Sequence, residues 1–177
     1  MSQIRIEPYS INDAQLRYDA VYESKEHLLP FIIWAADYTL DKSELWIKDA
    51  IKNFDGVEYP FKIIDEFGEY VGEVRIIQVT VNKYERFANL AYWVRKEYVQ
   101  RGIATQAIRL AANFAFKELG LYRLQIMVLP DNENSISVAL KVGARREGQL
   151  YNQWNFEGKM HHPLLFSLIA NDINLNT

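Results

Sequence analysis

The chain has 177 residues, 49% of them hydrophobic and 24% charged, with a formal net charge of −3 and no cysteine. That balance predicts one globular domain over residues 1–177 with a substantial core. It excludes disulfides, thiolate metal sites and a cysteine nucleophile. No apolar run reaches membrane-spanning length and the N-terminus carries no signal-peptide pattern, so a cytoplasmic location without a membrane partner is the default expectation. Net acidity gives no reason to expect nucleic-acid binding. The charge is uneven, however. Residues 1–70 hold 14 Asp and Glu against 7 Lys and Arg, whereas residues 71–177 hold 9 against 13. An acidic first part suits a cationic acceptor and a basic second part suits a polyanion, although solvated surface charge explains the same numbers equally well.

In chain order, Gln3 to Pro8 alternates as a first strand. Asn12 or Asp13 can cap a helix running to about Leu28, with Ala14, Tyr18, Val21 and Tyr22 on its apolar side, and Pro30 breaks it. Asp41, with Glu44 three residues on, is an imperfect capping arrangement for a second helix ending near Asp55 and Gly56. Tyr59 to Asp65 and Tyr70 to Val81 read as strands joined by a turn at Glu66-Phe67-Gly68-Glu69. Ala88 to Val94 reads as a buried strand, and Ile103, Ala107, Leu110, Ala111 and Phe114 recur at helical spacing before Gly120. Arg123 to Leu129 is a strand, the run after Asn132 a helix, and Arg145 to Tyr151 and His161 to Ile169 closing strands. There is no internal repeat, linker or low-complexity stretch. The order fits a mixed sheet flanked by helices.

Val99-Gln100-Arg101-Gly102-Ile103-Ala104-Thr105, between a strand and a long helix, carries the most chemical information. A helix start presents unpaired N–H groups and the positive end of its dipole, which suit a pyrophosphate. Gly102 permits close backbone approach and Arg101 adds charge. A plain helix cap is the competing reading, and neither G-x-x-x-x-G-K-[ST] nor G-x-G-x-x-G is present.

The C-terminal third of the chain adds weight: Pro130-Asp131-Asn132-Glu133-Asn134-Ser135, the helix with Ala139-Leu140-Lys141-Val142-Gly143-Ala144, and the closing run from Glu147-Gly148 through Phe156-Glu157-Gly158-Lys159-Met160-His161-His162 to Leu165-Phe166-Ser167-Leu168. With Leu29-Pro30-Phe31, Trp34, Ser43-Glu44 and Trp46-Ile47, these segments resemble, in order and spacing, the GNAT superfamily of N-acetyltransferases over nearly the whole chain. They are most similar to the branch of ribosomal-protein N-terminal (alanine/serine) acetyltransferases. The resemblance implies an α+β fold, with a mixed, mostly antiparallel central sheet flanked by helices and two central strands splayed apart. It implies acetyl-CoA as acetyl donor, no metal, and direct attack of an acceptor amine on the thioester.

Carried over residue by residue, the resemblance implies pyrophosphate binding by the backbone of Val99, Gln100, Arg101, Gly102, Ile103, Ala104 and Thr105. Trp93 and Val94 would offer main-chain bonds to the pantetheine arm, with the Val94 N–H as oxyanion donor. Asn132 would contact the cofactor, Lys141 its phosphates, and Ser135 the departing sulfur. Helix capping is the alternative for Ser135, and plain solvation for Lys141. Trp34 and Tyr38 are the preferred acceptor-pocket residues; Trp46 and Trp154 are aromatics that serve a pocket or a core. Adjacent His161 and His162 point to opposite faces of a strand and do not make a metal site.

Departures from the pattern bear on mechanism. Val99 stands where relatives often have Arg or Gln, and Ala144 where a bulky aromatic often follows the glycine; ligation through backbone makes the first a minor change, and the second alters packing only. Ala139 stands where many members carry a proton-donating tyrosine, which leaves Ser135, a water or no donor; a thiol near pKa 8.5 tolerates unassisted departure. Asn89 stands where relatives often place a glutamate that deprotonates the amine through water. Asparagine is not a base, although it can orient a water. Glu73, on the neighbouring strand, is the leading substitute and Glu157 a weaker one. Loss of the base favours an α-amine, with pKa about 7.7–8.0, over an amine near 10.4. The expected activity is therefore acetyl transfer to a protein N-terminal α-amine. A small amine (polyamine, amino sugar or antibiotic) and a catalytically weak acyl-CoA-binding module are the alternatives. Edge strands near the C-terminus leave a homodimer open.

Overall fold

The computed structural model describes residues 3–54, 56–156 and 158–173. A seven-stranded sheet is built from β1 (Ile4–Pro8), β2 (Tyr59–Asp65), β3 (Tyr70–Val81), β4 (Arg86–Val94), β5 (Arg123–Val128), β6 (Arg145–Gln149) and β9 (Leu164–Leu168), in spatial order β1-β2-β3-β4-β5-β9-β6. All neighbours are antiparallel except β4 and β5, which run parallel. The mixed, mostly antiparallel sheet is thus observed. β7 (Trp154–Phe156) and β8 (Lys159–His161) form a separate hairpin that the pattern did not foretell. His161 belongs to that hairpin, opposite Trp154, and not to the last strand. Pro163, which has no N–H to give a ladder, separates the two.

Two hydrophobic layers cover the sheet. On one face α4 (Ile103–Lys117) lays Ile103, Ala107, Ile108, Ala111, Ala112, Ala115 and Phe116 against Val74, Ile76, Ala88, Leu90 and Val94. Gly102 caps α4 in the left-handed conformation, φ 78°, which a side chain would strain. On the other face α1 (Ala14–Glu23) and α3 (Leu40–Lys52) bury Ala20, Val21 and Ile47 with Ile64, Tyr70 and Trp93.

The first helical run departs from expectation in three ways. It breaks at Ser24, whose buried hydroxyl accepts a hydrogen bond from the Lys96 N–H at 3.1 Å, before α2 (Lys25–Leu28) resumes. Asp13 does not cap with its side chain; its carboxylate accepts from the Ser10 N–H at 2.7 Å and pairs with Lys62 at 2.9 Å. Tyr22 is exposed, and the residue buried in its place is Arg17. For α3 the cap is Thr39, whose Oγ1 accepts from the Lys42 N–H at 3.3 Å, with Asp41 inside the first turn. This helix ends at Lys52, short of the expected Asp55, which lies outside the described residues.

Candidate active site

The site begins where β4 and β5 part. They pair only at Phe87, Ala88 and Asn89 opposite Arg123, Leu124 and Gln125, although β4 runs on to Val94 and β5 to Val128. The splay that the resemblance implied is present. On its other edge β4 stays paired with β3, and the Arg95 N–H donates to the Val71 carbonyl at 2.9 Å. Strand N–H groups alternate sides, so those of Tyr92 and Val94 turn to the open edge facing the gap. Gly72 allows β3 to lie this close, since a Cβ there would sit 2.3 Å from the Trp93 carbonyl oxygen.

A cavity of about 470 Å³ runs through the gap. On the α4 side it is lined by Val99, Gln100, Gly102, Ile103, Ala104 and Thr105, whose helix-start N–H groups have no intrahelical partner. Arg101 does not line it: its guanidinium turns back to donate to the Glu97 carbonyl at 2.7 Å and rests on the Tyr98 ring. Lys141, in the last turn of α5 (Glu133–Lys141), does line it.

Asn132 is the cap of α5; its Oδ1 accepts from the Ser135 N–H at 3.1 Å. Ser135 therefore takes part in the cap through its backbone, while its Oγ stands 2.6 Å from the Tyr92 hydroxyl. The Tyr92–Ser135 pair was not legible in the sequence, because spacing along the chain does not reveal which strand residue meets the first turn of α5. Burial pushes the Tyr92 phenol up to about 12, with the Ser135 bond opposing. It stays protonated at any ordinary pH.

The other half of the cavity, under α1 and α3, is lined by Phe31, Trp34, Glu73, Arg75, Asn89 and Trp93, with Trp154 of the hairpin. Strand alternation puts Glu73, Arg75 and Ile77 of β3 on one face with Asn89, Ala91 and Trp93 of β4. Glu73 is 1% exposed and its carboxylate is fully engaged. Oε2 accepts from Arg17 Nε at 2.8 Å and from the Tyr9 hydroxyl at 2.8 Å, and Tyr9 also bonds the Tyr70 hydroxyl at 2.8 Å. Burial alone raises the Glu73 pKa, but the Arg17 charge and hydrogen bond, Arg75 and the Tyr9 bond outweigh it and hold the carboxyl below the ordinary value.

Arg17, also 1% exposed, is enclosed by aromatics. Its guanidinium lies 3.7 Å from the Trp46 ring centre, 5.1 Å from Trp34 and 5.2 Å from Tyr38, whose hydroxyl it also bonds. Tyr38 thus backs Trp34, 5.3 Å ring to ring, without lining the cavity, and Trp46 is likewise behind the wall. Arg17 was legible in part, because a cation flanked at helical spacing by Ala14, Ala20 and Val21 needs a buried partner. Glu157 lies outside the described residues. His162 Nδ1 accepts from the Asn152 N–H at 2.9 Å, and no three potential metal ligands gather among the described residues.

The chain belongs to the acetyltransferase (GNAT) domain family, which it matches over residues 3–145. It is similar to the Bacillus subtilis probable N-acetyltransferase YjcK, 28% identical over 149 residues that cover 82% of each chain. It also resembles the spermidine N(1)-acetyltransferase of Escherichia coli K12, 29% identical over 102 residues covering 58% of this chain and 54% of that relative. Among solved structures it is similar to Mycobacterium smegmatis RimJ in complex with CoA-disulfide, with a TM-score of 0.84, 25% identity, and coverage of 97% of this chain and 84% of that one. The protein is accordingly an N-acetyltransferase.

Proposed function

We propose that the chain transfers acetyl from acetyl-CoA to a low-pKa primary amine, with a protein N-terminal α-amine as the acceptor class. The carrying observation is the cavity through the β4–β5 gap, which gives donor and acceptor opposite faces of one sheet. Helix-start N–H groups at Gly102 to Thr105 fit a pyrophosphate, the open β4 edge fits the pantetheine amides, and Lys141 stands near. The complex of RimJ with CoA-disulfide supports the same donor.

In this reading the amine nitrogen attacks the thioester carbon from the Glu73–Asn89 side. The Val94 N–H receives the developing oxyanion, and the C–S bond then breaks. Ser135 Oγ, hydrogen-bonded to the Tyr92 hydroxyl 2.6 Å away, gives a proton to the departing sulfur, and the proton that the amine nitrogen sheds as the amide forms passes to solvent water, which restores the Ser135 hydroxyl. Glu73, tied to Arg17 and Tyr9 and held below its ordinary pKa, suits an orienting role better than proton removal. With Asn89 no base either, the acceptor must reach the site neutral. An α-amine near 7.7–8.0 has a substantial neutral fraction at pH 7.5, whereas deprotonating an amine near 10.4 there costs about 4 kcal/mol. A spermidine acceptor, suggested by the E. coli relative, is the second reading.

Two measurements test this. Acetyl-CoA at 100 times its Kd should stabilise the fold by about 2.7 kcal/mol, raising Tm by about 5–11 °C. With an N-terminal peptide as acceptor, kcat/KM should rise with pH and level off near 8, tracking the acceptor. No Tm shift would reject the donor site, and binding without turnover on any amine or peptide would reject the enzyme reading.

A further inference from the structure

Besides Trp93 Nε1, two buried polar atoms on the acceptor wall have no partner among the described residues: Arg75 Nε, a donor, and Asn89 Oδ1, an acceptor. Both side chains line the cavity. Arg75 is opposite Ala91 and Asn89 opposite Ile77, so the two are diagonal neighbours on one face of the β3–β4 pair. Neither is free to turn away. Arg75 Nη2 donates to Glu58 Oε2 at 2.6 Å and the guanidinium lies 5.4 Å from the Trp46 ring centre, which leaves the Nε edge unused. Asn89 Nδ2 donates to Gln78 Oε1, and its Oδ1 is left unpaired. Gln78 reaches it from an irregularity in β3, where the register slips between Ile77 and Thr80 and Gln78 adopts φ 53°. A local kink of this kind re-aims a side chain.

We propose that Arg75 and Asn89 form a two-point clamp for an acceptor whose amine is followed by a carbonyl or carboxylate. Asn89 Oδ1 accepts from the amine N–H, and Arg75 Nε donates to the neighbouring oxygen. Diagonal neighbours stand roughly 7–8 Å apart at the backbone, which places both side chains within the reach of one aminoacyl unit and its two hydrogen bonds of about 2.9 Å. The clamp rests on the acceptor face assigned under the proposed function, and sharpens it by requiring an oxygen beside the amine.

The same wall works against polycations. Its one carboxylate, Glu73, is committed to Arg17, and Arg75 is paired with Glu58. A second ammonium would therefore find no uncommitted carboxylate on this wall among the described residues. This is a specificity built from a withheld counter-charge as well as from attraction.

The test compares three acceptors of the wild-type enzyme at saturating acetyl-CoA, read as CoA release: alaninamide, sec-butylamine (which lacks the carbonyl) and spermidine. Rates are compared per neutral amine, so that acceptor basicity drops out. Alaninamide should exceed each of the others by at least about tenfold in kcat/KM, and Arg75→Met should remove that advantage while leaving sec-butylamine turnover and the acetyl-CoA KM in place. Should Arg75→Met fail to fold, Arg75→Lys, which keeps charge and stem but lacks the Nε–H, should lose the same preference. Equal turnover of all three amines by the wild type would overturn the clamp and leave the acetyltransferase reading standing. A uniform loss on every amine in the Arg75 variant would likewise overturn it. Absence of turnover on all of them, together with no acetyl-CoA-induced rise in Tm, would overturn the underlying reading and the clamp with it.

Discussion

Ser135 and Tyr92 show how two ordinary hydroxyls become a directed pair. The α5 cap holds the Ser135 backbone through Asn132 Oδ1, so its Oγ meets Tyr92 from a fixed position. Burial keeps the Tyr92 proton in place up to about pH 12. Ser135→Ala and Tyr92→Phe should each lower kcat with the acetyl-CoA KM unchanged. The loss should be about tenfold, below the usual 10²–10⁴ for a general acid, because a thiol near pKa 8.5 leaves without much help. Tyr92→Phe should introduce no new limb into the kcat–pH profile between pH 6 and 9, since the phenol does not titrate there. Steady-state kinetics over that range checks both statements, and a changed acetyl-CoA KM would point to binding. Ser135 was legible as a candidate from its place at a helix start. Its partner was not, because Tyr92 is 43 residues away in the chain and the contact exists only once α5 packs beside the β4 edge.

At the scale of elements, the closing strands are tied by one exposed cluster. Arg123 on β5 holds Glu147 on β6 through two bonds, 2.6 and 2.5 Å, across the intervening β9, whose Ser167 hydroxyl donates to the same carboxylate at 2.6 Å. The Arg123 and Ser167 hydrogen bonds, with the Arg123 charge, draw the Glu147 carboxyl down to about 2 against an opposing effect of burial. A carboxyl depressed in the folded state stabilises fully above its unfolded value near 4.5, and that stabilisation fades as pH falls towards 2. Glu147→Gln should therefore lower Tm at pH 7 and narrow its gap to the wild type as pH drops below 4.5. Water screens this partly exposed pair, which limits the cost at neutral pH to about 1 kcal/mol or less. Thermal melts at pH 7, 4.5 and 3 test it, and a gap that widens in acid would refute the assignment. The long strands β2 and β3 were readable to the residue, because each carries a clear apolar run between turn signals. The β7–β8 hairpin was not: each strand has three residues, too few for a period to show.

Across the whole molecule, the Arg17–Glu73 pair joins α1 to β3 and closes the floor of the acceptor half of the cavity. Both groups are desolvated, so removing one strands the other. Arg17→Met should cost about 3–5 kcal/mol of stability, and Arg17→Met combined with Glu73→Gln should cost less than the sum of the two changes. Urea denaturation of the three variants gives the coupling directly, and strict additivity would show that the pair is not a unit. Sequence alone was enough for the class of fold, for the glycine-opened α4 with its neighbouring backbone, and for a helix beginning between Asn132 and Ser135. Each of these is a local matter of periodicity, turn chemistry or a few adjacent residues. It took the tertiary structure to commit Glu73 to Arg17, to set Arg101 and Tyr38 off the cavity, and to leave Arg75 and Asn89, which line it, each with a buried unpaired atom. Those outcomes depend on which of several possible partners a side chain meets, and burial, which makes an unmatched charge costly, selects the partner only when distant segments have come together.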